Sequence, residues 1–123
     1  MSVTYTTAVK NARLDAVVAA IGATGVLEIG TTGMASVLAT IALNATAGTS
    51  SGGVLTLSGF PKSDASADAT GIAAAARIRT ASGGTDIITG LTVGLSASDI
   101  ILDSLSITAG QTVTINSAAI THA

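Results

Sequence analysis

The chain has no cysteine and no tryptophan, one tyrosine, one phenylalanine, one proline and one histidine among 123 residues. Without cysteine there are no disulfides, thiolate metal sites or sulfur nucleophiles. With only Tyr5 and Phe60 as aromatics, the core has to be built from Ala, Val, Ile and Leu. These bury less area per side chain than aromatics do. A chain of this length supports one modest core, so association with copies of itself or with a larger surface is the expected source of further stability. Charge is scarce too: 10% of residues, against roughly 25% in ordinary soluble domains. The net charge of −2 comes with no basic patch, which argues against nucleic acid as a partner. So little charge points to a surface that spends its life packed against others. The alternative is a neutral monomer coated in Ser and Thr.

Catalytic constellations are missing from the pattern. The single histidine, His122, lies at the C-terminal end without partners at metal-ligand spacing and reads as a surface residue. A nucleophilic triad has no internal base. Asp64 and Asp68 share a segment, and Asp99 and Asp103 flank a short apolar run, but "SDASADAT" lacks the order of a calcium loop. They read as turn residues or hydrogen-bonded strand ends. A paired-acid glycosidase would need aromatic platforms that the chain cannot supply. "GTTG" and "SSGGV" lack the Lys and the strand-to-helix order of a phosphate loop, so their glycines read as turns. No cofactor, metal or small-molecule substrate is expected. No secretory leader is visible and no run spans a membrane, because "AVVAAIGATGVLEIG" is broken by glycines and Glu28. Synthesis in a cytoplasm, with no membrane partner, is the expectation.

What is present is a helix followed by many short strands. Leu14, Val17, Val18 and Ile21 recur at i, i+3, i+4 and i+7, with Thr6 or Thr7 as N-cap and Gly22 as stop. An amphipathic helix from Thr7 to Ile21 is predicted, with Lys10, Arg13 and Asp15 around its other sides. "VLEIG", "SVLATIAL" and "GVLTLSGF" then alternate or carry β-branched residues between Gly, Ser, Thr and Asn punctuation. "LNATAGTSSGG" reads as a loose turn, and Lys62 to Thr70 as the most exposed loop.

The stretch "GIAAAARIRTASGGTDIITG" is ambiguous, since four alanines favour helix. Ala76 and Ile78 alternate with Arg77 and Arg79, "ASGG" supplies a turn, and "DIITGLTV" returns with strand formers. A hairpin is predicted, with Arg77 and Arg79 on its more solvated face. Strands at Ile100 to Leu102 and at "TVTINSAAIT" close the pattern, the latter with Val113 and Ile115 on one face and Thr112 and Thr114 on the other. The fold class is mainly β: an Ig-like or jelly-roll-like β-sandwich of seven or eight short strands with one N-terminal helix. Residues 1–123 form a single domain, with 1–22 as arm and helix and 23–123 as sandwich.

"YTTAVKNARLDAVVAAIG", the ending "DIILDSLSITAGQTVTINSAAITHA" and the middle "VLATIAL … GGVLTLSGF … GIAAAARIRTASGGTDIITGLTVG" resemble small virion proteins of tailed bacteriophages. The resemblance covers nearly the whole chain through structural motifs, with no catalytic residue among them. It implies a non-enzymatic β-sandwich that decorates and cements the exterior of a capsid. Such a protein is made in the host bacterial cytoplasm, and its partners are the major capsid protein and copies of itself, with a trimer favoured. Tail tube, terminator and fibre components are the alternatives, because they also use small β-sandwiches. A carbohydrate- or surface-binding sandwich is a further alternative, weakened by the lack of stacking aromatics. The candidate contact residues are Met1, Ser2, Val3, Thr4 and Tyr5 as an arm, Phe60, Pro61 and Lys62 as an anchor, and Arg77 and Arg79 as partners for capsid carboxylates.

Overall fold

The computed structural model describes residues 5–81 and 83–121. The helix α1 runs over Thr7–Ile21. Thr6 Oγ1 accepts the Val9 N–H at its start, and the Gly22 N–H, at a positive φ of 74°, returns to the Val18 carbonyl at its end. Both ends are therefore set by the hydroxyl cap and the glycine stop that the sequence contains. Leu14 and Ile21 are buried, and Val17 and Val18 pack on the core.

Twelve strand segments follow where seven or eight are predicted. One antiparallel sheet has the order β2 (Val37–Ala42), β1 (Val26–Gly30), β7 (Ala75–Arg79), β8 (Asp86–Leu91). The predicted hairpin is its β7–β8 arm. Thr80 and Thr85 pair across the turn, and Gly83 takes a φ of 76°. Propensity for helix in the alanine run loses to sheet pairing on both sides of β7.

A second sheet has the order β3 (Gly48–Ser51), β4 (Val54–Leu57), β12 (Val113–Thr121), β10 (Ile100–Leu102), β9 (Val93–Gly94). β5 (Lys62–Asp64) pairs with the beginning of β12. β6 (Gly71–Ile72) and β11 (Ser106–Ile107) form a separate two-stranded ladder. Leu27, Ile29 and Ile78 of the first sheet join Leu55, Ile100, Leu102, Val113 and Ile115 of the second in one core, all essentially inaccessible. The result is a mainly-β, sandwich-like fold whose interior is entirely aliphatic, with Phe60 only partly buried at its margin.

Two predicted loops contain strands. Gly48–Ser51, inside the supposed loose turn, pairs with β4 through the two-residue turn Gly52–Gly53, with φ values of 61° and 78°. Two successive positive φ values are what a tight hairpin turn of matching twist requires. Lys62–Asp64, at the start of the supposed exposed loop, pairs with β12. Beyond it, Asp64 Oδ2 accepts the Thr40 N–H at 3.1 Å, and the Asp68 N–H donates to the Leu38 carbonyl at 2.7 Å. Residues 62–68 thus strap the free edge of β2, satisfying edge groups that would otherwise invite another strand. Ala67 is buried beneath the strap.

Candidate functional site

The predicted contact residues fall on three elements. Met1, Ser2, Val3 and Thr4 lie outside the described residues, as does His122. Tyr5 is exposed just before α1, with the Arg13 guanidinium carbon 4.6 Å from its ring centroid.

Phe60, Pro61 and Lys62 occupy a break between two collinear strands. β4 and β5 lie along the same side of β12. The six-residue step from Thr56 to Lys62 spans the four-residue step from Ala119 to Ile115. The surplus is taken up as a bulge over Ser58–Pro61, where Gly59 has a φ of 81° and the Phe60–Pro61 peptide is cis. The Phe60 ring packs against the core, whereas Pro61 is exposed. Lys62 Nζ donates to Asn44 Oδ1 at 2.7 Å and stands 6.0 Å from the Phe60 centroid. The bulge therefore presents a proline held between an anchored ring and a tethered ammonium.

Arg77 and Arg79 lie on the face of the first sheet that points away from the core, but they are only about one-fifth exposed. They enclose Glu28 of β1, which sits directly across from Arg77 in the ladder and is 5% exposed. Arg77 Nε donates to Glu28 Oε1 at 2.6 Å, and Arg79 Nη1 lies 3.6 Å from the same oxygen. Arg79 Nη2 donates to the Gly84 carbonyl at 2.6 Å, and its Nε is 2.9 Å from Asp86 Oδ1, close enough for an ion pair but without hydrogen-bond alignment. Two arginines and two carboxylates thus neutralise one another across β1, β7 and β8. Sequence reasoning placed these arginines correctly on the outer face and missed Glu28. The alternation of "VLEIG" puts Glu28 outward, and only the β1–β7 register reveals that two cations cover it.

The same pattern holds for most charges. Asp15 Oδ1 accepts from Ser50 Oγ, Asp64 and Asp68 both serve Thr40, and Asp99 Oδ2 accepts from the backbone and hydroxyl of Thr92. Against these stand exposed apolar side chains: Tyr5, Val9, Ile72 on β6, and Leu95 in the turn after β9. Among the described residues there is no ligand-sized cavity, no metal-binding cluster of acidic and histidine side chains, and no helix long and apolar enough to cross a membrane. Compared with protein-family models, curated proteins and solved structures, the chain has no match.

Proposed function

We propose that the protein is a non-enzymatic structural component of a tailed-bacteriophage virion, a decoration or cement protein that binds the exterior of an assembled head. The observation that carries this reading is a surface whose charges are occupied within the molecule while apolar side chains are left facing outward. Each apolar side chain left outward gains by being covered. The resemblance of the helical start and the strand-rich ending to small virion proteins supplies the kind of assembly. The major capsid protein and further copies of the chain are the partners in this reading.

The mechanism is mechanical. Binding to the expanded shell but not to its precursor stabilises the expanded state by linkage. Many identical weak contacts act together through avidity. The exposed Pro61 in its bulge and the segment leading into Tyr5 are the contacts this reading favours. Arg77 and Arg79 reach capsid carboxylates only by sharing or releasing Glu28 and Asp86.

The test is co-sedimentation of the purified protein with tailed-phage heads stripped of accessory proteins, followed by thermal melting of the heads. Saturable binding with a raised shell melting temperature is expected. Binding to tails but not heads moves the assignment to a tail component. Binding to neither, with retention on a glycan surface, replaces it with the carbohydrate-binding alternative.

A further inference from the structure

Every residue of β1 is buried, although only Leu27 and Ile29 belong to the core cluster. Val26, Glu28 and Gly30 alternate with them on the outer face of the first sheet. Arg77 and Arg79 close over Glu28. The cover at Gly30 is Met34, from the turn between β1 and β2. A side chain begun at Gly30 would meet Met34 Sδ at 2.8 Å and Cε at 2.9 Å, so the glycine is a notch in which the end of the thioether rests. The Ser36 carbonyl oxygen stands 2.7 Å from the same point. Met34 itself is only partly covered. The backbone is bent to bring it there. Gly33 and Met34 take successive positive φ values of 67° and 58°, and an L side chain enters that region at a cost. Thr31 holds the stem of the turn. Its N–H donates to the Ser36 carbonyl and its Oγ1 accepts the Ser36 N–H, both at 3.0 Å, and its carbonyl accepts the Met34 N–H at 2.8 Å. A strained conformation persists where its surroundings over-determine it. Here the side-chain part of that hold is one thioether in one notch.

We infer that Met34 is an oxidation site, and that its sulfoxide frees the β1–β2 turn from the outer face of the sheet. The oxidant is a peroxide. One oxygen atom passes to Sδ: the sulfur loses two electrons, an S–O bond forms, the O–O bond of the peroxide breaks, and with hydrogen peroxide the other product is water. The thioether becomes a polar, bulkier group. In the notch its oxygen stands beside the Ser36 carbonyl oxygen, an acceptor against an acceptor, and a polar group covered without a donor is unfavourable. The sulfur leaves the notch, the packing that holds Met34 at positive φ is lost, and the turn opens. The ladders that β1 makes with β2 and β7 remain. With no cysteine in the chain, no thiol competes for the oxidant, and reduction of the sulfoxide reverses the step. This inference is independent of what the chain binds.

The test is treatment of the folded protein with hydrogen peroxide, with peptide mass spectrometry to follow Met34 separately from Met1. Oxidation of Met34 is expected to lower the melting temperature by about 4 °C. Hydrogen exchange at the Met34, Ala35 and Ser36 amides is expected to speed up by about tenfold, with the strands of the core unchanged. Methionine sulfoxide reductase should restore both. Met34→Leu keeps the volume without the sulfur, and should hold its melting temperature and exchange rates under peroxide. Met34→Gln puts a polar oxygen at the same depth and should show the loosened turn with no oxidant. Complete oxidation of Met34 that leaves exchange in the turn unchanged overturns the proposal. So does an equal loss in Met34→Leu, which would assign the effect to another residue, and so does faster exchange spread evenly over the strands, which would mean global unfolding.

Discussion

Replacing Glu28 by alanine is the most direct probe of how the outer face of the first sheet is held. Glu28 is 5% exposed, and its Oε1 serves Arg77 at 2.6 Å and Arg79 at 3.6 Å. Removal leaves two guanidinium groups, each about four-fifths covered, with only the half-solvated Asp86 as counter-charge. Breaking a buried pair by deleting one partner costs about 3–5 kcal/mol. The residual solvent access of the arginines and the Asp86 contact bring the expectation to about 2–4 kcal/mol. For a chain of this length a loss of 1 kcal/mol lowers the melting temperature by about 4 °C, so Glu28→Ala is expected to melt roughly 8–16 °C lower. Urea unfolding supplies the free energy, and a cycle with Arg77→Ala isolates the pair, for which a coupling of at least ~1.5 kcal/mol is expected. High salt should change the melting temperature of the parent chain little, because covered pairs are weakly screened. A Glu28→Ala variant that melts within about 2 °C of the parent, or a cycle without coupling, would refute the structural role of the network. In that case Arg77 and Arg79 would be available to an external carboxylate at little cost.

Three further substitutions test separate parts of the fold. A Cβ at Gly48 would stand 2.4 Å from the Thr56 carbonyl oxygen and 3.0 Å from Leu57 Cα, both backbone of β4; Gly48→Ala is expected to cost about 2 kcal/mol in urea unfolding. Leu55, fully buried between the sheets, should lose about 3 kcal/mol as Leu55→Ala. Asp64→Ala removes the acceptor of the Thr40 N–H and loosens the strap on β2; it should cost about 1–2 kcal/mol and, by opening a strand edge, speed aggregation followed by light scattering.

Most of the fold is legible in the sequence wherever a buried stripe coincides with a local stop signal. Thr6, the Leu14–Val17–Val18–Ile21 spacing and Gly22 delimit α1 without help from the rest of the chain. The alternation of Ala76 and Ile78 with Arg77 and Arg79 outweighs the alanine run because β7 is paired on both edges. The strands that escape notice are those whose residues are polar or glycine. β3 is "GTSS" and β5 is "KSD", and both exist because a neighbouring strand supplies a ladder, not because they bury a face. A signal for β3 was present in Gly52–Gly53, which suits a two-residue hairpin turn as well as it suits a loose loop. The β4–β5 bulge, and with it the setting of Phe60 and Pro61, depends on two surplus residues that only the register against β12 exposes.

The candidate surface was harder to read, for a physical reason that α1 makes plain. Periodicity predicts which residues are buried by their own hydrophobicity, so it finds Leu14 and Ile21 and assigns the polar remainder to solvent. Here the Gly52–Gly53 turn presents a backbone N–H at Gly53 that needs an acceptor, and Asn11 supplies it. Ser50 next to that turn draws in Asp15. These bonds tie Asn11 and Asp15 of α1 to β3 and the turn after it, while Val9, Ala12, Ala16 and Ala19 stay exposed. The buried stripe of Leu14, Val17, Val18 and Ile21 and the exposed Arg13 and Asp15 follow the predicted pattern, with Lys10 half-buried over Gly53. The same reasoning applies to Glu28: a charge belongs to the surface only until its partners are known. What the surface offers a neighbour follows from the bonds left over after the fold has satisfied its own polar groups. In this chain those bonds consume most of the charge, so what remains for assembly is shape and the exposed apolar side chains.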